Sequence, residues 1–175
     1  AGVRRLLTRW LMWLAENWIG VNALVLRGVG SRQWHAEAAE PLDRNGWYLV
    51  LANHQTWVDI VVLQVALNRR IPLLKFFIKQ QLFWFPFLGV AFWALDMPFM
   101  KRYSKSYLAR HPQKKGKDLE ATRRACERFR DAPTSVINFV EGTRFTEEKK
   151  ARRSAPYEHL LMPRAGGVAL ALSSM

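Results

Sequence analysis

The densest polar chemistry in the chain is Asn53-His54-Gln55-Thr56-Trp57-Val58-Asp59, lying between two apolar runs. A histidine with an aspartate five positions on can be wrapped by the intervening turn so that the carboxylate accepts the proton of one ring nitrogen. The other nitrogen is then a base, able to deprotonate a hydroxyl near neutral pH while the carboxylate fixes the tautomer and stabilises the imidazolium. The same residues carry a structural reading. Thr56-x-x-Asp59 is the pattern of a capping box at a helix start, and His54 would then be a satisfied histidine under a loop. Spacing alone leaves both open.

A second cluster, Phe139-Val140-Glu141-Gly142-Thr143-Arg144, joins a glycine that permits a tight turn to a hydroxyl, backbone N–H groups and an arginine, which together can bind a phosphate. The alternative is an ordinary strand-to-loop turn with a Glu–Arg surface pair. A third group, Phe99-Met100-Lys101-Arg102, sets two cations at another strand end.

The elements that must position these groups alternate. Trp47–Ala52 is almost continuously apolar, as expected of a central strand covered on both faces, and Ser135–Val140 is a similar run. Between and around them the pattern predicts a strand near Gln33–Glu37, a helix over Val58–Leu67, strands at Leu73–Ile78 and Pro98–Lys101, and a helix from about Asp118. Strands alternating with helices argue for an α/β fold: a mixed, largely buried β-sheet flanked by helices, with ligand sites at strand ends. Leu82–Leu95 is apolar but broken by Pro86 and Gly89, too short to span a bilayer. It reads as a buried element, a lipid-touching face or an acyl-chain channel. Glu147–Arg153 reads as a charged, mobile loop.

In residues 6–26, Trp10, Leu11, Trp13, Leu14, Trp18 and Val21 recur at helical spacing behind Arg4, Arg5 and Arg9, with Gly28 and Gly30 as a stop. Arg9, Glu16 and Asn17 interrupt any spanning run, so the expectation is an in-plane interfacial helix, with a core-packing helix as the alternative. The 175 residues divide into this N-terminal helix, 1–30, and a second segment, 31–175, that holds every cluster above. The chain starts without methionine and stops at Met175 without a cap, so further segments are expected beyond both ends, leaving the second segment incomplete at its C-terminal side.

Composition sets bounds. Half the residues are hydrophobic, which excludes a disordered chain. Lys and Arg exceed Asp and Glu by 27 to 14, a formal charge of +13, so the partner is expected to be anionic. Eight tryptophans favour a bilayer surface over nucleic acid, and Arg123–Arg130 lacks the interleaved aromatics of a single-strand binder. No nucleic-acid partner is expected. A lone cysteine, Cys126, and no clustered ligand spacing argue for a reducing, cytoplasm-facing compartment and against a metal site.

In this order the clusters resemble the motifs of the glycerolipid acyltransferases, a family that includes the lysophosphatidic acid acyltransferases. Asn53, His54 and Asp59 match Asn-His-x-x-x-x-Asp, and Phe139, Glu141, Gly142, Thr143 and Arg144 match Phe-Pro-Glu-Gly-Thr-Arg, with Val140 in place of proline. Phe99 and Arg102 match part of Gly-x-x-Phe-Ile-x-Arg, with Asp96 for glycine and Met100 for isoleucine. Pro163 and Gly166 match a fourth motif. The resemblance runs from about Trp47 to Leu172. It implies a membrane-associated enzyme of phospholipid biosynthesis or remodelling that moves a fatty acyl group from a thioester on coenzyme A or acyl carrier protein to a lysophospholipid hydroxyl. His54 would be the general base and Asp59 its orienting partner. Arg102 and Arg144 would hold the acceptor phosphate, Gly142 and Thr143 would form its loop, and Glu141 would organise that loop. No bound cofactor is implied, only the thioester as co-substrate, and no nucleophile is required; no Gly-x-Ser-x-Gly elbow is present.

Overall fold

In a computed structural model, the described residues are 2–29, 36–100, 105–114, 116, 120, 123–124 and 126–174. Helix α1 runs over Gly2–Val29 and is followed by strand β1, Tyr48–Ala52, and helix α2, Val58–Leu67. Two short strands, β2 (Leu74–Lys75) and β3 (Ile78–Lys79), replace the single strand expected over Leu73–Ile78. A 3-10 turn at Gln80–Trp84, helix α3 (Leu88–Ala94), strand β4 (Phe99–Met100) and helix α4 (Lys105–Arg110) come next. The site-bearing half closes with β5 (Ser135–Phe139), α5 (Glu147–Arg153) and α6 (Ala165–Ser174).

The main sheet has the order β1-β5-β2 and a second pair joins β3 to β4. Every described pairing is parallel, which corrects the expectation of a mixed sheet. It also moves the centre. β5, not β1, is the middle strand, with Ser135, Val136 and Ile137 buried, whereas β1 has a neighbour on one side among the described residues and leaves Leu51 52% exposed. A continuous apolar run signals burial on both faces only when strands flank it on both sides, and here Trp47–Ala52 owes part of its apolarity to the core beneath its inner face. Tyr48, Val50 and Ala52 pack against the buried cluster of Ile71, Leu74, Phe76, Ile78, Met97 and Ile137.

The strand expected near Gln33–Glu37 falls partly outside the described residues, and Ala36 and Glu37 are not in a strand. Arg102 and Lys101 also lie outside them. Glu147–Arg153 is a helix rather than a loop: Thr146 accepts a hydrogen bond from the Lys149 N–H as its cap, Glu147 and Glu148 sit in the first turn and basic residues in the last, which suits the helix dipole at both ends.

α1 is fastened along one face. Ile19 is buried, Asn68 Nδ2 donates to the Glu16 carbonyl at 3.0 Å, Arg69 donates to Asn17 Oδ1 at 3.1 Å, and Arg44 pairs with Glu16. The other face leaves Leu7, Trp10, Trp13, Trp18, Val21 and Val25 exposed. The core-packing reading of this helix is thus realised along one face, and the opposite face is apolar and exposed. Leu82–Leu95 is not a buried element: Trp84, Phe85, Phe87, Val90 and Trp93 are exposed, Phe87 90% so and at a left-handed φ of 61°. Its turn closes tightly, since a Cβ at Gly89 would lie 1.9 Å from the Phe83 carbonyl oxygen. Among the described residues no helix is long and apolar enough to cross a membrane.

Candidate active site

Adjacent parallel strands deliver two loops to one place. Ala52 and Phe139 are partners at the C-terminal ends of β1 and β5, so the residues after each emerge together. Val140 N–H donates to the Ala52 carbonyl at 3.1 Å and Phe145 N–H to the His54 carbonyl at 2.7 Å, which stitches the loops on both sides of the strand ends. The Phe139 ring stacks on the His54 imidazole, centroids 4.1 Å apart and planes 19° apart, fixing the ring's plane.

His54 Nδ1 lies 2.9 Å from Asp59 Oδ2. The same oxygen accepts the N–H groups of Gln55 at 2.6 Å and Thr56 at 2.8 Å, and Oδ1 accepts the Thr56 hydroxyl at 3.2 Å. Thr56 Oγ1 in turn accepts the Val58 N–H at 3.1 Å. One carboxylate therefore serves both the turn that leads into α2 and the His–Asp pair, whereas the full capping box expected from Thr56-x-x-Asp59 is not formed: α2 is N-capped at Trp57, without a side-chain cap hydrogen bond. Partial burial pushes the Asp59 carboxyl up, but the hydrogen bonds from His54, Thr56 and Gln55 outweigh it and hold the carboxyl below its ordinary value. An ionised carboxylate only accepts, so Nδ1 carries a proton, and in the neutral imidazole Nε2 then holds the lone pair. That is the tautomer a general base needs.

Beyond β5 the chain turns at Gly142, whose φ of +68° suits glycine. A Cβ there would also meet Arg164 Cδ at 3.3 Å, so the Arg164 side chain lies across this glycine. The Lys149 ammonium donates to Thr143 Oγ1 at 3.1 Å and to the Arg144 carbonyl at 2.8 Å. Lysine has no acceptor, so the Thr143 hydroxyl proton stays available to a ligand. The Arg144 guanidinium stacks over the Trp57 indole, Cζ 4.7 Å from the centroid. Glu141 is 1% exposed, neither of its carboxylate oxygens has a hydrogen-bond partner among the described residues, and its carbonyl accepts from Arg153 at 3.4 Å. The alternative of a Glu141–Arg144 surface pair is thereby overturned.

Of the residues singled out in the sequence, His54, Asp59, Gly142, Thr143 and Arg144 come together at these strand ends, Glu141 sits buried behind the loop, and Arg102 falls outside the described residues. Sequence reasoning missed Trp57, Lys149, Arg153 and Arg164 as members of the site. Trp57 lay inside the first cluster but carried no polar signal, and the six-residue step from Thr143 to Lys149 has meaning only once α5 folds back on the loop. Cys126, buried beside Lys75 and Phe129, has its thiol pushed up to about 11 by burial and takes no part.

A family model described as Acyltransferase matches residues 33–174, most of the chain. No curated protein and no solved structure matches it. The chain belongs to the acyltransferase family, that of the glycerolipid acyltransferases, and is an acyltransferase.

Proposed function

We propose that this member of the family moves a fatty acyl group from an acyl thioester, carried by coenzyme A or acyl carrier protein, to the free hydroxyl of a lysophospholipid such as 1-acyl-sn-glycerol-3-phosphate. The observation that carries the reading is the 2.9 Å contact of His54 Nδ1 with a carboxylate already fixed by two backbone N–H groups, which leaves Nε2 as a base of set orientation. Nε2 takes the proton of the acceptor hydroxyl as its oxygen attacks the thioester carbonyl. Asp59 balances the imidazolium that forms. The tetrahedral oxyanion collapses, the carbon–sulfur bond breaks, and the departing thiolate takes the proton back from the imidazolium. Acyl transfer is direct, with no covalent enzyme intermediate.

Arg144, the Thr143 hydroxyl and the turn at Gly142 serve the acceptor phosphate, and Arg102 adds a second cation in this reading. Glu141 shapes the loop from behind rather than touching substrate, in keeping with its burial. The exposed tryptophan face of α1 and the aromatic segment Leu82–Leu95 rest on the cytoplasmic face of a phospholipid bilayer, which supplies the acceptor.

The test is thiol release and product mass spectrometry with acyl-CoA or acyl carrier protein thioester and a panel of lysolipids in bilayers. His54→Ala is expected to lower kcat by about two to four orders of magnitude while retaining the melting temperature to within a few degrees. Turnover by purified His54→Ala protein close to wild type would sink the mechanism.

A further inference from the structure

We propose that Trp57 is a positioning residue for acceptor recognition: its indole holds the Arg144 guanidinium by one face, leaving the N–H edge turned out for the acceptor phosphate. The proposal rests on the functional reading above and adds a residue that reading does not use.

Both ends of the contact are rooted in fixed backbone. Trp57 lies in the turn between His54 and Asp59, where the N–H groups of Gln55 and Thr56 are tied to Asp59 Oδ2 and that of Val58 to Thr56 Oγ1. Arg144 lies in a stretch held by Lys149 at its carbonyl and by Phe145 N–H at the His54 carbonyl. The side chains then meet across the two loops at 4.7 Å. Trp57 is 68% exposed, so its indole contributes little to the core. A large aromatic left in solvent beside a base and a cation has its energetic role in that contact.

Among the described residues Arg144 has no carboxylate partner, so its charge is not consumed within the protein. A guanidinium uses different parts of itself for the two tasks. The ring attracts the π face, whereas a phosphate takes two N–H donors in the plane. Stacking therefore costs the arginine no donors, and it removes much of the rotamer freedom that binding would otherwise have to freeze. The consequence is selective: Trp57 should matter for an acceptor that carries phosphate and not for the thioester.

Two variants, Trp57→Leu and Trp57→Phe, are compared in steady-state kinetics with acyl-CoA as donor and either 1-acylglycerol-3-phosphate or 1-acylglycerol as acceptor. Trp57→Leu is expected to raise the KM for the phosphate-bearing acceptor by about three- to thirtyfold, the range of an exposed to a desolvated cation–π contact. The donor KM should move by less than about twofold, Trp57→Phe should recover most of the loss, and Trp57→Leu should add nothing in an Arg144→Ala background. A parallel readout needs no turnover. The Arg144 Nε–H resonance, assigned by its loss in Arg144→Lys, should shift on Trp57→Leu, and its response to inorganic phosphate should weaken. Equal damage to donor and acceptor constants, a full effect persisting without Arg144, or an Nε–H resonance indifferent to Trp57 would each overturn the proposal. Wild-type protein that acylates no phosphate-bearing acceptor would overturn the functional reading, a result separate from a wild type that turns over normally while Trp57→Leu is unselective.

Discussion

Asp59→Asn separates the two roles that one carboxylate holds. Oδ2 accepts three hydrogens, from His54 Nδ1 and the N–H groups of Gln55 and Thr56, and Oδ1 accepts one from the Thr56 hydroxyl. In asparagine one position becomes an NH2 group, and three donors facing Oδ2 force the amide oxygen to take that place. The NH2 then meets Thr56 Oγ1, which has acceptor capacity to spare. The three bonds to the oxygen survive without their ionic partner and the bond with Thr56 reverses its direction, so the fold should persist with a lowered melting temperature. Catalysis should suffer far more. The imidazolium formed during attack loses a counter-charge at a centre-to-centre distance of about 4 Å, worth roughly 4 kcal/mol at an effective dielectric near 20. With part of that recovered by water, kcat should fall by about 10²- to 10³-fold. Acid supplies a second readout. Because Asp59 is held below its ordinary value in the folded protein, its contribution to stability is complete above the ordinary carboxylate range and drains away as pH falls through the lowered value. The stability gap between wild type and Asp59→Asn, measured by denaturant unfolding, should therefore close as pH falls from the ordinary aspartate range through the lowered value. Initial rates of thiol release give kcat directly. A variant retaining more than a third of wild-type kcat would show that the charge is not used in the reaction and that Asp59 only holds the turn before α2.

Arg144→Ala should raise the acceptor KM while sparing the donor KM, with about ten- to a hundredfold lost from kcat/KM, as for removal of a charged hydrogen-bond pair, and Arg144→Lys should restore only part because a point charge cannot fork. Selective damage to the donor constant would reassign Arg144 to the phosphates of the coenzyme. Residues 4–26 should carry the chain onto anionic vesicles in a salt-sensitive manner, each basic residue near the surface contributing roughly 1 kcal/mol. If a chain lacking residues 1–26 floats with such vesicles as well as the parent, the aromatic segment around Trp84 and Phe87 carries the attachment instead.

The contact between His54 and Asp59 was legible because it is local. His54 and Asp59 are five apart, and one turn brings them into contact whatever the rest of the chain does. The helix over Val58–Leu67 was legible for a similar reason, since its apolar run and the turn that leads into it lie within its own sequence. The centre of the sheet was not. Trp47–Ala52 and Ser135–Val140 are both apolar runs, and which one lies in the middle depends on partners that sequence periodicity does not name. Glu147–Arg153 was misread through its charge density. A helix that buries no residue shows no apolar stripe, and here the evidence for it is the Thr146 cap with acids first and bases last. The exposure of Leu82–Leu95 was equally hidden, because composition reports that a segment is apolar and not what covers it.

The parallel arrangement explains why the site stands where it does. Parallel neighbours end at the same edge, so pairing Ala52 with Phe139 brings out the loop of His54 and the loop of Arg144 side by side. An antiparallel pairing would have put them at opposite ends of the strands, roughly 17 Å apart for strands of this length. The junction is then drawn tighter than strand spacing alone requires. Phe139 stacks on His54, Phe145 bonds to the His54 backbone, and Trp57 reaches Arg144, so each loop carries a residue that grips the other. In the proposed reaction His54 and Arg144 act on one small acceptor, so a shift of either loop by an ångström would misalign hydroxyl and phosphate together. Two side-chain contacts, Phe139 on His54 and Trp57 on Arg144, and one backbone hydrogen bond, from Phe145 N–H to the His54 carbonyl, thus hold the two loops together, as the proposed shared acceptor would require.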